Sequence, residues 1–372
     1  MKQSVDILVR GDGAVGRSLA LALSAQGLRV ALLGPGGSAQ LPRGEDVRAY
    51  ALNATSVALL RELRVWEALP DDARTPVYDM CVHGDQPGAK LAFSAWQQGV
   101  RELAYIVDAA ALEAQLDMAL RFAPHVQRVQ QPLPAALDAI CEGRDSGSRA
   151  ARGVQLERQP YGHRAIAARL LADRPHDGVA RQWFRSPDVL ALLPFDRPVQ
   201  AASYGLVWSL PEARAQALLA LDDAAFESAL MEASEGQAGM LRLAGERQSW
   251  PLALSRAEPV SGEGWVLLGD AAHQVHPLAG QGLNLGLADV AALRDVLEAR
   301  ESWRPLGDER LLRRYARARA LPNWAMGELT DALLRGFALE HPLPARLRNQ
   351  GLSLVDRLGP VKRWLTARAL GQ

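Results

Sequence analysis

Two glycine-rich stretches hold the residues best spaced to do chemistry. The first is Gly11-Asp12-Gly13-Ala14-Val15-Gly16. In a GxGxxG turn the first glycine permits a tight bend and the second lets a pyrophosphate approach the backbone. The third lets a helix close on a strand. The free N–H groups at the start of that helix then hold phosphate, so the chemistry to expect is dinucleotide binding. The second stretch runs from Gly269-Asp270-Ala271-Ala272-His273 through Pro277 to Gly280-Gln281-Gly282-Leu283-Asn284. Here a strand delivers a carboxylate to its carboxyl end, where ligands sit in open α/β sheets. The glycine turn opens a helix whose positive end can meet a partial negative charge.

The elements around these residues can be read from periodicity. Val5-Asp6-Ile7-Leu8-Val9 is a short apolar run of buried-strand type. An alanine- and leucine-rich helix follows the glycines to Gln26, Gly27 stops it, and Val30-Ala31-Leu32-Leu33 makes the next strand. Strand, glycine turn, helix and parallel strand form a βαβ unit. Helices are expected over 53–63 and 108–122. Between 161 and 209 the texture changes to short β-type runs with Pro and Gly, which reads as an antiparallel sheet. Helices are expected near 211–219 and 222–233, a buried strand at 265–268, a long helix over 282–300, and an arginine-rich helical tail from Asp308.

Composition removes several function classes. Hydrophobic residues make up 48% and charged residues 23%, as in folded soluble proteins. Lys plus Arg is 42 and Asp plus Glu is 42, so no basic excess points to nucleic acid. Cys81 and Cys141 lack disulfide or metal spacing and are expected as buried thiols in a reducing compartment. His273 and His276 form an i,i+3 pair without the further ligand set of a metal site, so no metal is expected. The amino terminus has no signal-peptide core, and no apolar run reaches about 18 residues. A cytoplasmic protein is expected. No Gly-x-Ser-x-Gly or Walker loop is present to support acyl or phosphoryl transfer. Trp183, Phe184, Tyr204 and Trp208 offer either the wall of an aromatic site or plain core.

The stretch Gly269 to Leu287 resembles the second flavin motif of the aromatic-ring flavoprotein monooxygenases. It is most similar to the ubiquinone-biosynthesis hydroxylases that act on polyprenylated phenols. Asp46-Val47-Arg48-Ala49-Tyr50-Ala51-Leu52 resembles that family's DxRxxAL segment, and Trp66 stands where it often has tryptophan. Tyr161-Gly162, Gln182, Phe184, Leu192-Leu193-Pro194 and Val207-Trp208 resemble its middle-sheet landmarks, and Arg348-Asn349, Gly351-Leu352 and Val355–Leu358 its end. The resemblance covers nearly the whole chain.

It implies an α/β fold, in which a Rossmann-like FAD-binding domain is interleaved with an antiparallel-sheet substrate domain and followed by a helical tail. The expected division is 1–75, 96–157 and 258–330 for FAD, 76–95 and 158–257 for substrate, and 331–372 for the tail. It implies FAD as cofactor and NAD(P)H as reductant, with dioxygen trapped as a flavin C4a-hydroperoxide that an electron-rich ring attacks. The expected partners are therefore a hydrophobic aromatic substrate and dioxygen. Gly11, Gly13, Ala14, Val15, Gly16, Arg48, Gly269, Asp270, Gly282, Leu283 and Asn284 would bind the cofactor. Pro277, Gly280, Gln281 and Gly282 would shape its reaction face.

Several residues depart from the pattern. Gly34 closes the second strand where an acidic residue usually bonds a ribose hydroxyl, so a glutamate there is expected to tighten FAD binding. Asp12 puts a carboxylate in the turn where a pyrophosphate would repel it, and Arg10 is free to pair with Asp12 or with phosphate. The central DG motif is degraded to Gly143-Arg144-Asp145-Ser146-Gly147-Ser148, and the segment before it is short. These departures leave a second reading open: a flavin-poor homologue that binds a quinone intermediate or supports a biosynthetic assembly. A flavin reductase without hydroxylation is a third. The basic, amphipathic tail (Arg346, Arg348, Arg357, Lys362, Arg363 and Arg368) admits either peripheral membrane contact or packing on its own domain.

Overall fold

An apolar run and a glycine turn start the fold, as the periodicity requires. The computed structural model describes residues 5–34, 46–84, 90–275 and 281–338, with side chains as far as 325. The chain forms β1 (Val5–Arg10), α1 (Ala14–Ala25), β2 (Val30–Leu33), β3 (Ala49–Leu52), α2 (Ala54–Glu62), β4 (Arg74–Val77), β5 (Asp79–His83), β6 (Lys90–Ser94), α3 (Ala95–Gln98), β7 (Ala104–Asp108) and α4 (Ala109–Arg121). Next come β8 (Val126–Val129), β9 (Ala135–Ile140), α5 (Gly147–Ala151), β10 (Gln155–Ala172), β11 (Val179–Arg185), β12 (Asp188–Phe195), β13 (Ser203–Pro211), α6 (Glu212–Leu219) and α7 (Asp223–Ala233). Then follow β14 (Leu241–Leu243), β15 (Gln248–Glu258), β16 (Ser261–Gly262), β17 (Trp265–Leu267), β18 (His273–Gln274), α8 (Gln281–Glu298) and α9 (Glu309–Ala338).

A mostly parallel sheet in the order β16-β17-β9-β1-β2-β8 carries the nucleotide-type half. Ile7 pairs with Val30 and also with Leu137, so β9 takes the place beside β1. The short segment before Asp145 therefore still supplies a central strand. β17 lies parallel to β9, which brings the two glycine stretches to the same carboxyl edge. Ile7, Val9, Leu19, Leu23, Leu137, Val266 and Leu293 are fully buried where α1 and α8 cover this sheet. Side-chain caps set the helix starts: Asn53, Asp108 and Asp222 accept from the backbone N–H groups of Ser56, Ala111 and Ala225.

The second sheet runs β18-β15-β10-β13-β12-β11-β5-β6, with β14 on β10, and a small β3-β7-β4 sheet packs near it. Successive residues of a strand face opposite sides. Trp183, Tyr204 and Trp208 bury with Phe226 and Leu230 under α6 and α7, while Phe184 joins Val82, Leu91 and Val189 in another cluster. The first three aromatics thus belong to the core, and Trp183 and Trp208 also border a small cavity beside Asp188 and Arg214. Trp66 is buried edge-on to Tyr105, with centroids 4.9 Å apart. Cys141 is buried as expected, but Cys81 is only half-buried, because it lies on β5 toward the sheet's edge. Among the described residues no helix is long and apolar enough to cross a membrane.

One buried carboxylate ties this frame to the second glycine stretch. Asp289 of α8 is fully buried. Its Oδ2 accepts from the Gly269 backbone N–H at 2.9 Å and lies 2.6 Å from His273 Nε2. Its Oδ1 accepts from Arg319 Nε of α9 at 2.6 Å. Arg319 also donates to Asn323 Oδ1 at 2.7 Å, and nearby Tyr315 donates to the Leu267 carbonyl at 2.9 Å. Burial alone would raise the Asp289 carboxyl, but His273, Arg319 and the Gly269 N–H together hold it below the ordinary range.

Replacing Asp289 by alanine should cost about 3–5 kcal/mol, because it strands Arg319 in the interior. Denaturant unfolding of the two proteins at pH 7 measures this. A folded-state carboxyl held low contributes stability above the ordinary carboxylate range, and that contribution is lost as pH falls through the lowered value. The gap between wild type and Asp289→Ala should therefore close below about pH 4.

Candidate cofactor site

The glycines of the first stretch divide into two kinds. Gly11 has φ +108°, and a Cβ there would lie 2.2 Å from the Cys141 carbonyl oxygen. A Cβ on Gly16 would lie 1.9 Å from the Gly11 carbonyl oxygen. Both positions exist to let backbone meet backbone. Gly13 is the opposite: a Cβ there meets nothing within 4 Å. It is the N-cap of α1 in extended conformation, and no side chain caps this helix. The first N–H groups of α1, from Ala14 onward, have no capping side chain among the described residues, and a positive helix end stands behind them. That is the cradle a pyrophosphate requires.

The charges in the loop are settled within the protein. Arg10 Nε donates to Asp138 Oδ1 at 2.7 Å, so its ion-pair partner among the described residues is Asp138 and not Asp12. Asp12 Oδ1 accepts from Arg17 Nε at 2.9 Å, and Arg17 also donates to the Glu113 carbonyl at 2.9 Å. The side chain of Val15, expected near the cofactor, lies close to Gly286 of α8 and to Gly269. A Cβ on Gly286 would lie 2.6 Å from Val15 Cγ2, and one on Gly269 would lie 3.3 Å from the same atom.

The second stretch supplies the other wall. Gly269, with φ +60°, opens a short 3-10 turn after β17 that presents Asp270. Asp270 keeps contact with solvent, yet protein crowds it closely enough that burial pushes its carboxyl up, against the pull of His273 and Arg144. Tyr50 of β3 is among the groups that feel its charge. Arg48 lies over the Tyr50 ring at 5.8 Å and pairs with Asp46 at 2.7 Å and Glu113 at 3.1 Å. The Asp46 partnership raises the Arg48 guanidinium further, so this cation is permanent. Its side chain is 38% exposed above the buried Asp46, as a group offered to an anion should be.

Gln281, Gly282 and Leu283 form the first turn of α8, and a Cβ on Gly282 again meets none of the described residues within 4 Å. Asn284, expected on the cofactor, has its side chain committed elsewhere. Its Nδ2 donates to the Ala51 carbonyl at 2.7 Å, and its Oδ1 accepts from Asn53 N at 3.0 Å and Ser56 Oγ at 2.7 Å. It clamps α8 to β3 and α2, and so sets the distance between Arg48 and the α8 terminus. Pro277, Gly280 and His276 lie outside the described residues. Among the described residues no cluster of three metal-ligating side chains occurs. His273 is held by Asp289.

The degraded DG segment has become a closed turn. Glu142 accepts from Ser146 Oγ at 2.7 Å, Ser148 N at 2.9 Å and Ser148 Oγ at 2.6 Å. Asp145 sits 77% exposed beside Arg144, so it belongs to the surface. A cavity of about 1160 Å³ between β15, β18 and α9 is lined in part by Ala272, His273 and Gln274, which follow Asp270, while neither the glycine loop nor Asp270 itself is among its described lining. Sequence reasoning missed Asp289 and Gly286. Their signal was present: Leu285, Asp289 and Leu293 recur at helical spacing, which puts an acid on the buried stripe.

The two open glycines, the uncapped α1 terminus, Arg48 and Asp270 fit a long anionic dinucleotide with a hydroxylated linker. Gly13→Val should leave unfolding unchanged and weaken FAD binding at least tenfold, since the side chain enters open space that the ligand needs. Gly16→Ala should instead destabilise the fold, because its methyl meets backbone. Thermal unfolding and FAD titration on both variants separate the cases. Asp270→Ala should weaken FAD binding roughly ten- to a hundredfold, the worth of about 1.5–3 kcal/mol for a charged hydrogen-bond partner. Fluorescence titration with FAD measures this, and unchanged affinity would remove Asp270 from the site.

Comparison with known proteins agrees with this geometry. A family model described as an FAD binding domain matches residues 125–330, more than half of the chain. Ubiquinone hydroxylase UbiL of Rhodospirillum rubrum is 31% identical, over 98% of this chain and 89% of that protein. The 3-demethoxyubiquinol 3-hydroxylase of Escherichia coli is 29% identical over 99% of each. The crystal structure of PqsL from P. aeruginosa, in complex with 2-aminobenzoylacetate, superimposes with a TM-score of 0.76 at 19% identity, over 94% of this chain and all of that one. That likeness shows the same fold. The chain belongs to the FAD-dependent hydroxylase family of ubiquinone biosynthesis, within the aromatic-ring flavoprotein monooxygenases.

Proposed function

We propose that this protein inserts one atom of dioxygen into the aromatic ring of a polyprenylated ubiquinone precursor, with FAD as cofactor and NAD(P)H as reductant. The observation that carries the reading is the pairing of the uncapped, open Gly13 terminus of α1 with the Gly269–Asp270 turn on one sheet edge. When bound, FAD supplies the redox chemistry, taking up electrons and activating dioxygen. The protein supplies binding, orientation and electrostatics. Backbone N–H groups of α1 would hold the pyrophosphate, with Arg48 as a permanent cation nearby. Asp270 would hydrogen-bond the hydroxylated linker. The first turn of α8 would offer its positive end to negative charge on the flavin.

Relatives named as hydroxylases of ubiquinone or demethoxyubiquinol support the substrate class. Incubating the FAD-loaded protein with NADH or NADPH, a prenylated phenol and ¹⁸O₂ should yield a product one labelled oxygen heavier. Reductant consumed with only hydrogen peroxide formed would favour a flavin reductase.

We also infer peripheral membrane contact through the carboxyl-terminal region, because the substrate is lipid-soluble. Arg310, Arg313, Arg317, Leu321 and Trp324 of α9 are all exposed, although Arg313 also pairs with Glu309. The basic tail lies outside the described residues. Full-length protein should co-sediment with anionic vesicles at low salt and dissociate as salt rises. Absence of binding at low salt retires this contact.

A further inference from the structure

Gly34 and Asp12 are separate oddities in the sequence, but the fold presses them together. Gly34 follows β2, where a carboxylate ordinarily meets the ribose hydroxyls of a dinucleotide. A Cβ built on Gly34 would lie 2.5 Å from Asp12 Cβ, and 3.1 Å from both its Cγ and its Oδ2. The Asp12 side chain therefore occupies the volume that a side chain at residue 34 would enter. The conformation of Gly34 is not left-handed, so what excludes a side chain there is Asp12 itself.

Asp12 is also fixed. Its Oδ1 is held by Arg17, which is 9% exposed and anchored to the Glu113 carbonyl of α4. Among the described residues its Oδ2 has no hydrogen-bond partner. The side chain is 18% exposed, so this oxygen is not sealed in the core. A carboxylate with one oxygen anchored and one free thus stands at the end of β2, reached from the glycine loop.

We propose that Asp12 is the ribose-binding carboxylate of this protein. Its Oδ2 accepts hydrogen bonds from the adenosine ribose hydroxyls, and the ion pair with Arg17 offsets its charge beside the pyrophosphate. The role has moved from the end of the second strand into the loop, and Gly34 is small because Asp12 lies over it. The inference rests on the FAD reading above. It reverses the expectation that glutamate at Gly34 would tighten binding: as a single change, Gly34→Glu collides with Asp12 and weakens it.

The test uses the full-length protein stripped of FAD, titrated calorimetrically with FAD, ADP and 2′,3′-dideoxy-ADP. Wild type should prefer ADP over the dideoxy analogue by about tenfold or more. Asp12→Asn should reduce that preference to within about twofold, the loss expected when the charged acceptor is gone. The double variant Asp12→Gly with Gly34→Glu returns the carboxylate to the end of β2 and should restore the preference. Discrimination that persists in Asp12→Asn, or FAD binding tighter than wild type in that variant, overturns the proposal. Should Asp12→Asn fail to fold by circular dichroism, the double variant decides, and absence of ribose preference in it counts against the assignment. Wild type that binds FAD but ignores the ribose hydroxyls overturns this proposal alone. Wild type that binds neither FAD nor ADP overturns the cofactor reading and this proposal with it.

Discussion

Asp289 has no access to solvent, and the geometry of the second glycine turn depends on it. A buried carboxylate must satisfy its oxygens inside the protein, and here they are satisfied by three different segments. The Gly269 N–H fixes the turn that aims Asp270. His273 fixes the strand leaving that turn, and Arg319 binds α9 to α8. The same helix that carries Asp289 begins at Gln281, so turn and helix terminus are set by one rigid piece. Asn284 then joins this piece to β3 and α2, which carries the placement through to Arg48.

The cleft is shaped as much by small residues as by functional ones. Gly11 and Gly16 close the loop on itself and on Cys141, which draws β9 up against β1. Gly286 lets Val15 of α1 approach α8, so the two helix termini stand close on one sheet edge. Gly13 and Gly282, by contrast, meet no described residue where a side chain would stand, and they belong to the first turns of two different helices. Close approach of backbone is what allows two helix dipoles to act on one extended anion. The charges of the loop are paired internally, Arg10 with Asp138 and Arg17 with Asp12, and Arg48 pairs with Asp46 and Glu113 while keeping part of its side chain exposed.

Much of this was legible in the sequence, for reasons that differ by residue. The βαβ unit, the helices beginning near Asn53 and Asp108, and the Gly269–Asp270 turn follow from local periodicity and turn chemistry, which need only neighbouring residues. Side chains that reach across the fold were not legible in the same way. Nothing near Asn284 indicates that its amide would be consumed by Ala51, Asn53 and Ser56, over 200 residues away. Val15 matches the fingerprint position but is claimed by Gly286. Trp183, Tyr204 and Trp208 are aromatic enough for a substrate wall, yet strand alternation turns them under α6 and α7. Asp289 shows the intermediate case: its burial was readable from spacing, its partner Arg319 was not.

The central claim is that the cleft between α1, the Gly269–Asp270 turn and α8 is an FAD site. The absorption spectrum of the purified full-length protein tests it most directly, taken before and after incubation with FAD and removal of unbound cofactor. If FAD occupies this cleft, the flavin bands are perturbed from those of free FAD and about one FAD is retained per chain. A colourless protein that retains no flavin after reconstitution, while remaining folded, would contradict it.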